Sequence, residues 1–478
     1  MNGLYRFLKS PDIYKKQILG EVAPLQTESE IHYNNDKLTD EQSQVLNQAI
    51  SSQDYYLLWG PPGTGKTSVM IRSFVDYYYK QTDLNIILLA YTNRAVDEIC
   101  EAVDDVLGGN FIRIGSRYST QDKFKGKLLS QTIDTISSRR ILQKKLSENR
   151  VFISTISSFQ GRTDLTGIAD FDLVIIDEAS QLLEPMLVGF LSKFKKFILI
   201  GDHKQLPAVV GQDEAKTIVD SKLLLESTNI RNMSTSLFER MYMQSQDKGW
   251  NWTYGGLSHQ GRMHTDILNF VSPNFYEGQL KVMAGIDRLI DAPKLKSQDE
   301  LQTQLINSRV LFIDTPIDEA LMKKTNRVEA KITAKLIEIW KDIYKKNEVV
   351  MNRNSLGVIT PFRSQIAMIG EELDDETLKY VTLDTIERYQ GGSRNQIVIS
   401  LAVSQAQLLD SISNESSEGI DRKLNVALTR AKENIVILGA KEILSRKPIY
   451  KSLIEYCDTI EFKRILEYSS ESKKSDIE

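Results

Sequence analysis

Cysteine and histidine are scarce in this sequence. The 478 residues include two cysteines, Cys100 and Cys457, and four histidines. Two thiols cannot form a disulfide framework, and the cysteines and histidines have no spacing typical of a metal site. These absences exclude a disulfide-rich secreted fold and a zinc-ligand motif, and we expect a cytoplasmic protein in a reducing compartment.

Long apolar runs are also missing. Runs such as FILI at 197–200 are far shorter than the roughly 20 residues that cross a bilayer. The first residues, MNGLYRFLKSPDIYKK, lack the apolar core of a signal peptide. We therefore expect an intracellular, soluble chain that does not act at a membrane.

An overall excess of positive charge is lacking as well, because the formal net charge is −4. Any nucleic-acid site must then be a local basic patch. Residues 113–150 are the strongest candidate, with ten basic and three acidic side chains. This tract could contact nucleic-acid phosphates, or it could be the solvated face of a helix, and its composition fits both interpretations.

A glycine-rich loop is the first positive signal. Residues 57–70, LLWGPPGTGKTSVM, read as a strand, a loop of pattern G-x-x-x-x-G-K-T and a helix start. Backbone N–H groups of such a loop bind phosphate oxygens, the lysine contacts the β- and γ-phosphates, and the hydroxyl binds Mg²⁺. The predicted nucleotide contacts are Gly60, Pro61, Pro62, Gly63, Thr64, Gly65, Lys66 and Thr67.

A pair of carboxylates provides the acidic partner that this loop requires. In DLVIIDE (172–178) four consecutive apolar residues predict a buried parallel strand that ends at Asp177 and Glu178. Ligands bind at the carboxyl ends of strands in open α/β sheets. We expect Asp177 and Thr67 to hold Mg²⁺, and Glu178 to orient or deprotonate the attacking water.

A third predicted strand, KKFILIGD (195–202), runs into HKQLPAVV, where Gln205 could sense the γ-phosphate. The order of the glycine-rich loop, DEASQ (177–181) and GDHKQLP (201–207) resembles superfamily 1 helicases of the 5′-to-3′ branch. The likeness is greatest to the group that contains the nonsense-mediated-decay helicase and the Okazaki-fragment helicase–nuclease. It extends from about residue 38 to 440 and includes eight motifs in the family's order.

The resemblance assigns roles to residues in the remaining motifs. It implies Gln42 at the adenine, Gln390 and Gly391 near the nucleotide, and two arginines, Arg262 and Arg430, directed at the ATP phosphates. The stretches that resemble these motifs are LTDEQSQVL (38–46), YTNRAVDEI (91–99), STISSF (154–159), VITPFRSQ (358–365), TLDTIERYQGG (382–392) and LNVALTRAKENIVILG (424–439). The implied nucleic-acid contacts are Thr92, Asn93, Ser157, Ser158, Pro361 and Thr382, to which the basic tract adds Lys123, Lys125 and Lys127.

The expected fold is α/β, with two tandem RecA-like P-loop NTPase lobes built on parallel sheets. Strand-like runs VLFID (310–314), LGVIT (356–360), QIVISLAV (396–403) and NIVILG (434–439) alternate with helical stretches, such as 327–346. We place an N-terminal segment at 1–37, the first lobe at 38–248, the second lobe at 249–465 and a flexible tail at 466–478. The N-terminal segment is shorter than the β-barrel that precedes the first lobe in many relatives, so we expect a bare motor core.

The expected function is an ATP-dependent helicase or translocase, with ATP and Mg²⁺ held between two lobes and single-stranded DNA or RNA as the partner. An ATP-gated nucleic-acid clamp or a signalling ATPase that does not unwind is the alternative.

Two departures from the family pattern concern the nucleotide. Gly261 replaces the usual aromatic residue before Arg262 and allows a positive φ there, and Ser393 replaces an acid near the ribose.

Overall fold

The computed structural model describes residues 2–27, 31–134, 138–161, 170–213, 216–317, 324–389, 392–416 and 418–469. The chain forms two compact units. The first lobe comprises Met1–His203 and Pro207–Ser258, and the second lobe comprises Lys204–Leu206 and His259–Glu478. Within the described ranges, no helix is long and apolar enough to cross a membrane.

The first lobe is built on a sheet whose strands are all parallel, in the order β3-β4-β2-β5-β6-β1-β7. The strands are β1 (Tyr55–Trp59), β2 (Ile86–Ala90), β3 (Ile112–Ile114), β4 (Val151–Thr155), β5 (Leu173–Ile176), β6 (Lys196–Gly201) and β7 (Tyr254–Gly256). Residues of β2, β4, β5 and β6 are buried throughout. Such near-continuous apolar strands are typical of parallel sheets that helices cover on both faces.

Three helices precede the first strand of the first lobe, and the others lie between its strands. The helices are α1 (Asn2–Leu8), α2 (Asp12–Leu19), α3 (Asp40–Ser51), α4 (Arg72–Gln81), α5 (Asn93–Leu107), α6 (Leu129–Asp134), α7 (Arg139–Ser147), α8 (Ile156–Gln160), α9 (Glu184–Leu191), α10 (Lys222–Thr228) and α11 (Leu237–Asp247). They form two separate apolar clusters, one on each face of the sheet.

The second lobe contains another fully parallel sheet, in the order β12-β11-β13-β14-β10-β15. A short parallel pair, β8 with β9, lies outside this sheet. The strands are β8 (His259–Gln260), β9 (Lys281–Val282), β10 (Val310–Asp314), β11 (Leu356–Thr360), β12 (Thr382–Thr385), β13 (Arg394–Ser400), β14 (Ala431–Gly439) and β15 (Asp458–Thr459). Two parallel α/β sheets confirm the predicted fold class.

Helices separate the strands of the second lobe, and the longest of those described is the one predicted at 327–346. The helices are α12 (Thr265–Phe275), α13 (Glu300–Asn307), α14 (Arg327–Lys346), α15 (Arg363–Glu371), α16 (Thr377–Tyr380), α17 (Leu409–Ile412), α18 (Arg422–Leu428), α19 (Lys441–Leu444), α20 (Pro448–Tyr456) and α21 (Phe462–Leu466). The apolar face of α14 includes Trp340, which is fully buried against the sheet.

The N-terminal segment packs on the first lobe through two glycines. A Cβ atom on Gly189 of α9 would overlap the carbonyl oxygen of Gly3 in α1, so the two backbones touch directly. Tyr14 of α2 donates a hydrogen bond to the carbonyl of Val188 at 2.6 Å. These contacts make the N-terminal helices part of the first lobe.

We predict that Gly189→Ala destabilises the first lobe, because the added methyl group must push α1 away from α9. Overpacking of this kind costs about 1–3 kcal/mol of unfolding free energy. Gly370→Ala is the matched control, since Gly370 lies inside α15 and a Cβ there meets no atom within 4 Å. The control should stabilise by about 0.4–1 kcal/mol. Thermal unfolding measures both variants, and an unchanged Gly189→Ala protein would contradict the packing described.

Candidate active site

Each glycine of the phosphate loop has its own structural reason. Gly63 and Gly65 have φ values of +79° and +86°, in the left-handed region that other residues rarely adopt. A Cβ on Gly60 would overlap Cγ of Lys66. Thr64 closes the turn by donating a hydrogen bond from its hydroxyl to the Pro61 carbonyl at 2.9 Å. These glycines and the bond from Thr64 therefore determine the path of the loop, in which Thr64 is buried while Gly63 and Gly65 are partly exposed.

The helix that follows the loop begins with a π-helical turn, Lys66–Ile71, before it continues as α4. The N–H of Met70 donates to the Gly65 carbonyl at 3.0 Å, one residue further back than in an α-helix. Single π turns are rare in proteins overall, and many of those that do occur lie at functional sites. The Lys66 ammonium donates to the Gly60 carbonyl and lies 3.5 Å from that of Pro61, so its charge remains at the phosphate loop.

Strand β5 delivers the carboxylates to the same edge of the sheet as the phosphate loop. The hydroxyl of Thr67 donates to Oδ2 of Asp177 at 2.6 Å, and the N–H of Glu178 donates to Oδ1 at 2.9 Å. Glu178 itself has a φ of +54°, an uncommon conformation for a residue with a side chain. Its Oε2 accepts a hydrogen bond from Gln181 at 3.1 Å. The structure thus brings together Lys66, Thr67, Asp177 and Glu178.

Asp177 is the electrostatic centre of this cluster. It is 2% exposed, and burial followed by the neighbouring Glu178 charge raises the pKa of its carboxyl to about 7. A nearby divalent cation would reverse this effect, because it favours the ionised carboxylate. Hydroxyl and carboxylate oxygens are the ligands that Mg²⁺ prefers, usually together with water and phosphate. Thr67 and Asp177 therefore fit the predicted metal site.

Gln42 lies beside the phosphate loop. Thr39 and Gln42 form a reciprocal cap at the start of α3, in which the Thr39 N–H donates to Oε1 of Gln42 at 3.2 Å. The other amide atom, Nε2, lies 3.6 Å from the position that a Cβ on Gly65 would take. The cap fixes the side chain within the first lobe, and its contact with adenine stays a prediction.

Gln205 and Arg430 form a direct hydrogen bond in the second lobe. Nη2 of Arg430 donates to Oε1 of Gln205 at 2.8 Å, and both side chains are almost fully buried. Arg430 Nε also donates to the Val426 carbonyl at 3.0 Å. Sequence reasoning assigned the two residues separate roles and did not predict this contact. It also missed Asn425, whose amide donates to the Lys204 carbonyl at 2.7 Å and to the Tyr276 hydroxyl at 3.0 Å.

Arg262 follows a turn that the side chain of Gln260 closes. The N–H groups of Arg262 and Met263 both donate to Oε1 of Gln260 at 2.7 Å. Gly261 is not among the glycines with positive φ, so the turn does not use the left-handed conformation that a glycine allows. The reason is that the two amide bonds to Gln260 already determine the course of the turn. Gln390 and Gly391, the other predicted nucleotide contacts, lie outside the described residues.

The predicted nucleic-acid residues of the first lobe follow neighbouring strands. Thr92 comes after β2 and caps α5, while Ser157 and Ser158 come after β4 at the start of α8. Because β4 pairs with β2, these loops lie at one edge of the sheet. Thr92 and Ser157 are exposed. Asn93 accepts a hydrogen bond from Nη2 of Arg113 at 3.4 Å.

The predicted residues of the second lobe do not share one edge of its sheet. Pro361 follows the carboxyl end of β11, whereas Thr382 begins the adjacent parallel strand β12 and pairs with Gly357 near the amino end of β11. The Thr382 hydroxyl accepts a hydrogen bond from Nη2 of Arg394 at 2.9 Å. Both Pro361 and Thr382 are half-buried, so part of each surface faces solvent.

The basic tract at 113–150 does not form one uniform cationic surface. Arg113 is completely buried and pairs with Asp97 at 2.9 Å, so its inclusion among the possible phosphate contacts was wrong. The three lysines predicted to contact nucleic acid have nearby partners but keep solvent contact. Lys123 lies 3.4 Å from Asp104, Lys125 pairs with Asp122 at 2.5 Å, and Lys127 donates to the Gly109 carbonyl at 2.6 Å.

The fold and the site define a P-loop NTPase with two RecA-like lobes, and comparison with known proteins identifies its family. Two family models, each described as an AAA domain, match this chain. One matches residues 37–148 and 127–213, and the other matches residues 233–442. The chain belongs to the superfamily 1B helicases, which confirms the resemblance inferred from the motifs.

Curated relatives align with nearly the whole chain. The "DNA replication ATP-dependent helicase/nuclease JHS1" of Arabidopsis thaliana is 29% identical over 88% of this chain and 30% of its own length. The "DNA replication ATP-dependent helicase/nuclease DNA2" of Bos taurus is 28% identical over 88% of this chain and 39% of its own length. The "DNA polymerase alpha-associated DNA helicase A" of Saccharomyces cerevisiae is 27% identical over 89% and 68%. This chain thus spans well under half of the first two relatives.

We predict that Asp177→Asn stabilises the protein free of nucleotide and metal, with an effect that depends on pH. The pKa of Asp177 is raised from its usual value of 3.8 to about 7. Ionising this carboxyl in the folded state therefore costs stability, and the cost grows as the pH rises from about 4 to about 7. The gain in melting temperature should be largest above about pH 7 and should decline as pH is lowered towards 4. Melting curves in EDTA from pH 5 to 8 test this, and a gain independent of pH would contradict it.

Proposed function

We propose that this chain is an ATP-dependent helicase or translocase that moves along single-stranded nucleic acid, in the 5′-to-3′ direction. The observation that carries the proposal is the hydrogen bond between Thr67 of the phosphate loop and Asp177 at the end of β5. This contact joins the two halves of a metal-dependent phosphoryl-transfer site. Membership of the helicase family supports nucleic acid as the partner.

The proposed chemistry follows from the side chains at the loop. Lys66 would bind the β- and γ-phosphates, and Thr67 with Asp177 would hold Mg²⁺, which neutralises phosphate charge when bound. Glu178 would orient the attacking water and accept its proton. Its carboxylate is already held by Gln181. Hydrolysis then needs positive charge where the transferred phosphoryl group becomes more negative.

Arg262 and Arg430 would supply that charge. A planar guanidinium stabilises the negative charge that develops during phosphoryl transfer. The bond between Arg430 and Gln205 suggests how the second arginine is oriented. In this proposal, Gln205 senses the γ-phosphate and Arg430 responds to it.

The nucleic-acid partner is proposed to be single-stranded DNA or RNA, bound mainly through its backbone. The curated relatives are named for DNA, which favours DNA as the first substrate to test. Thr92, Asn93, Ser157, Ser158, Pro361 and Thr382 are the proposed contacts. We also propose an intracellular location, in keeping with two free cysteines.

The most informative experiment measures ATP hydrolysis with single-stranded DNA, with single-stranded RNA and without nucleic acid. A helicase motor should hydrolyse ATP faster with at least one of them. Displacement of streptavidin from biotin at the 3′ or the 5′ end then tests movement and its direction. Hydrolysis without displacement would support a clamp instead, and no hydrolysis under any condition would reject the proposal.

We predict that Lys66→Ala and Glu178→Gln fail at different steps. Lys66→Ala removes a phosphate contact and should weaken nucleotide binding together with turnover. Glu178→Gln keeps the shape of the site but removes the base, so ATP should still bind while turnover falls by roughly 10²–10⁴-fold. Binding of a fluorescent ATP analogue, compared with steady-state kinetics, separates the two effects. Turnover at the wild-type rate in Glu178→Gln would overturn the assigned base.

We predict that replacing Lys123 and Lys125 with Gln weakens binding of all single strands by a similar factor. Their ammonium groups are partly exposed, whereas Lys127 is left unchanged because it holds the Gly109 carbonyl. The log–log salt dependence should become shallower by about 0.7 for each phosphate that no longer pairs with a lysine. Lys451→Gln is the control, because Lys451 is an exposed lysine near an acid in the second lobe. An unchanged slope would place Lys123 and Lys125 outside the binding path.

A further inference from the structure

Another arginine, Arg288, binds the carbonyl groups of the turn at Arg262. It lies 26 residues further along the chain and outside the recognised motifs. Arg288 donates from Nη1 to the carbonyl of Arg262 at 3.0 Å and from Nη2 to the carbonyl of Gly261. One planar guanidinium thus holds two consecutive peptide groups. Because a guanidinium is rigid, the relative orientation of the two peptides is fixed with it.

The N–H groups of the same turn are also bound, in this case by a hydrogen-bond acceptor. Gln260 accepts from the N–H groups of Arg262 and Met263, and its Nε2 donates to the Met263 carbonyl at 2.9 Å. Gln260 is fully buried, so these bonds do not compete with water. Together, Gln260 and Arg288 bind the donors and the acceptors on both sides of Arg262. The backbone from which the Arg262 side chain extends has little freedom left.

Arg288 is itself supported by a frame of ionic and backbone contacts. It belongs to the short turn Asp287–Leu289, whose Leu289 is fully buried. Nη1 of Arg288 lies 4.0 Å from Oε1 of Glu433. The same Glu433 pairs with the buried Arg309 at 2.9 Å, and Arg309 in turn donates to the Asp291 carbonyl at 2.9 Å. The frame connects the turn that carries Arg288 with β10 and β14.

Several cationic side chains and one carboxylate, that of Glu433, lie close together beside the turn. Burial, followed by the charges of Arg288, Arg262 and Arg394, lowers the pKa of Lys432. Like charges repel one another at such distances. The Arg262 guanidinium is held within the lobe by a hydrogen bond from Nη1 to the Thr429 carbonyl at 3.2 Å. This bond requires the backbone to direct the side chain correctly, so a fixed turn helps to keep the guanidinium in place.

We propose that Arg288 is a positioning residue for Arg262. By holding the carbonyls of Gly261 and Arg262, it keeps the Arg262 guanidinium aimed at the transferred phosphoryl group. The inference rests on the proposed ATPase function. It concerns the orientation of Arg262 and does not require Arg288 to touch the nucleotide.

The test combines Arg288 variants with Arg262→Ala. Arg288→Met keeps a long unbranched side chain but removes both hydrogen bonds, and misplacement of a catalytic group by about 1 Å can cost about 10²-fold in turnover. We expect kcat to fall by about this factor while KM for ATP changes less than about threefold. Arg288→Lys keeps the charge but loses the two-pronged geometry, so its kcat should stay close to that of Arg288→Met.

The decisive measurement is a double-mutant cycle. If Arg288 acts through Arg262, then Arg288→Met should cause no further loss of kcat in an Arg262→Ala background. A further loss equal to that in the wild-type background would overturn the proposal, as would full activity of Arg288→Lys, since charge alone would then suffice. If Arg288→Met lowers the melting temperature, the cycle is repeated with Arg288→Lys and judged by the same outcome.

Arg353→Met is the matched control, because Arg353 also donates to a backbone carbonyl of the second lobe, that of Lys379 at 3.0 Å. Its kcat should equal the wild-type value. If the wild type is active, Arg262→Ala lowers that activity and Arg288→Met does not, only the positioning role is rejected. Absence of nucleic-acid-stimulated hydrolysis in the wild type would reject the proposed function and this inference together.

Discussion

The hydrogen bond between Thr67 and Asp177 is the contact on which the rest of the candidate site depends. It connects the residue that follows the phosphate-loop lysine with the end of β5. Both residues lie at the carboxyl edge of one parallel sheet, so the bond can form only if β1 and β5 are in register with β6 between them. The sheet order therefore determines where a metal-dependent reaction can take place.

Burying a carboxylate at that point is costly for the protein without a bound cation. Asp177 has a hydroxyl and a backbone N–H as partners, which is less than an ionised carboxylate needs when water is excluded. A second buried carboxylate, Glu329 in the second lobe, has its pKa raised to about 7 by burial. Glu329 accepts bonds from Thr315, Ser400 and the N–H of Ala402, which tie α14 to the ends of β10 and β13. The bonds to Glu329 satisfy a structural group, whereas at Asp177 the proposed Mg²⁺ would add a further partner.

The parts of the site that could be predicted from the sequence are those whose chemistry is local. Gly63, Gly65, Lys66 and Thr67 lie at fixed offsets along one strand–loop–helix unit, so their spacing alone implies a phosphate loop. The strand that ends at Asp177 was equally visible, because four apolar residues precede the carboxylate. The helix at 327–346 was predictable from the periodic spacing of its apolar residues, which is also a local pattern.

The parts that could not be predicted are contacts between residues far apart in the sequence. Arg430 and Gln205 are separated by 225 positions, and nothing in either local pattern indicates the other. Arg113 looked like one more charge in a basic tract, because composition cannot reveal that β3 points its side chain at Asp97 inside the lobe. The burial of that pair also connects Asn93 with the strand, through a second hydrogen bond from Arg113.

Gly261 illustrates how neighbouring side chains can restrain a residue that has none of its own. Read alone, a glycine before Arg262 suggests freedom of the backbone, because glycine allows a positive φ. The structure instead surrounds this glycine with restraints from two side chains, the neighbouring Gln260 on the amide side and the distant Arg288 on the carbonyl side. Two consecutive carbonyls point at one guanidinium, so the turn resists rotation although its glycine could adopt many conformations. What the absence of a side chain at residue 261 removes is a stacking surface for a base, while the turn that carries Arg262 is held by one neighbouring side chain, Gln260, and by one that the local sequence does not indicate, Arg288.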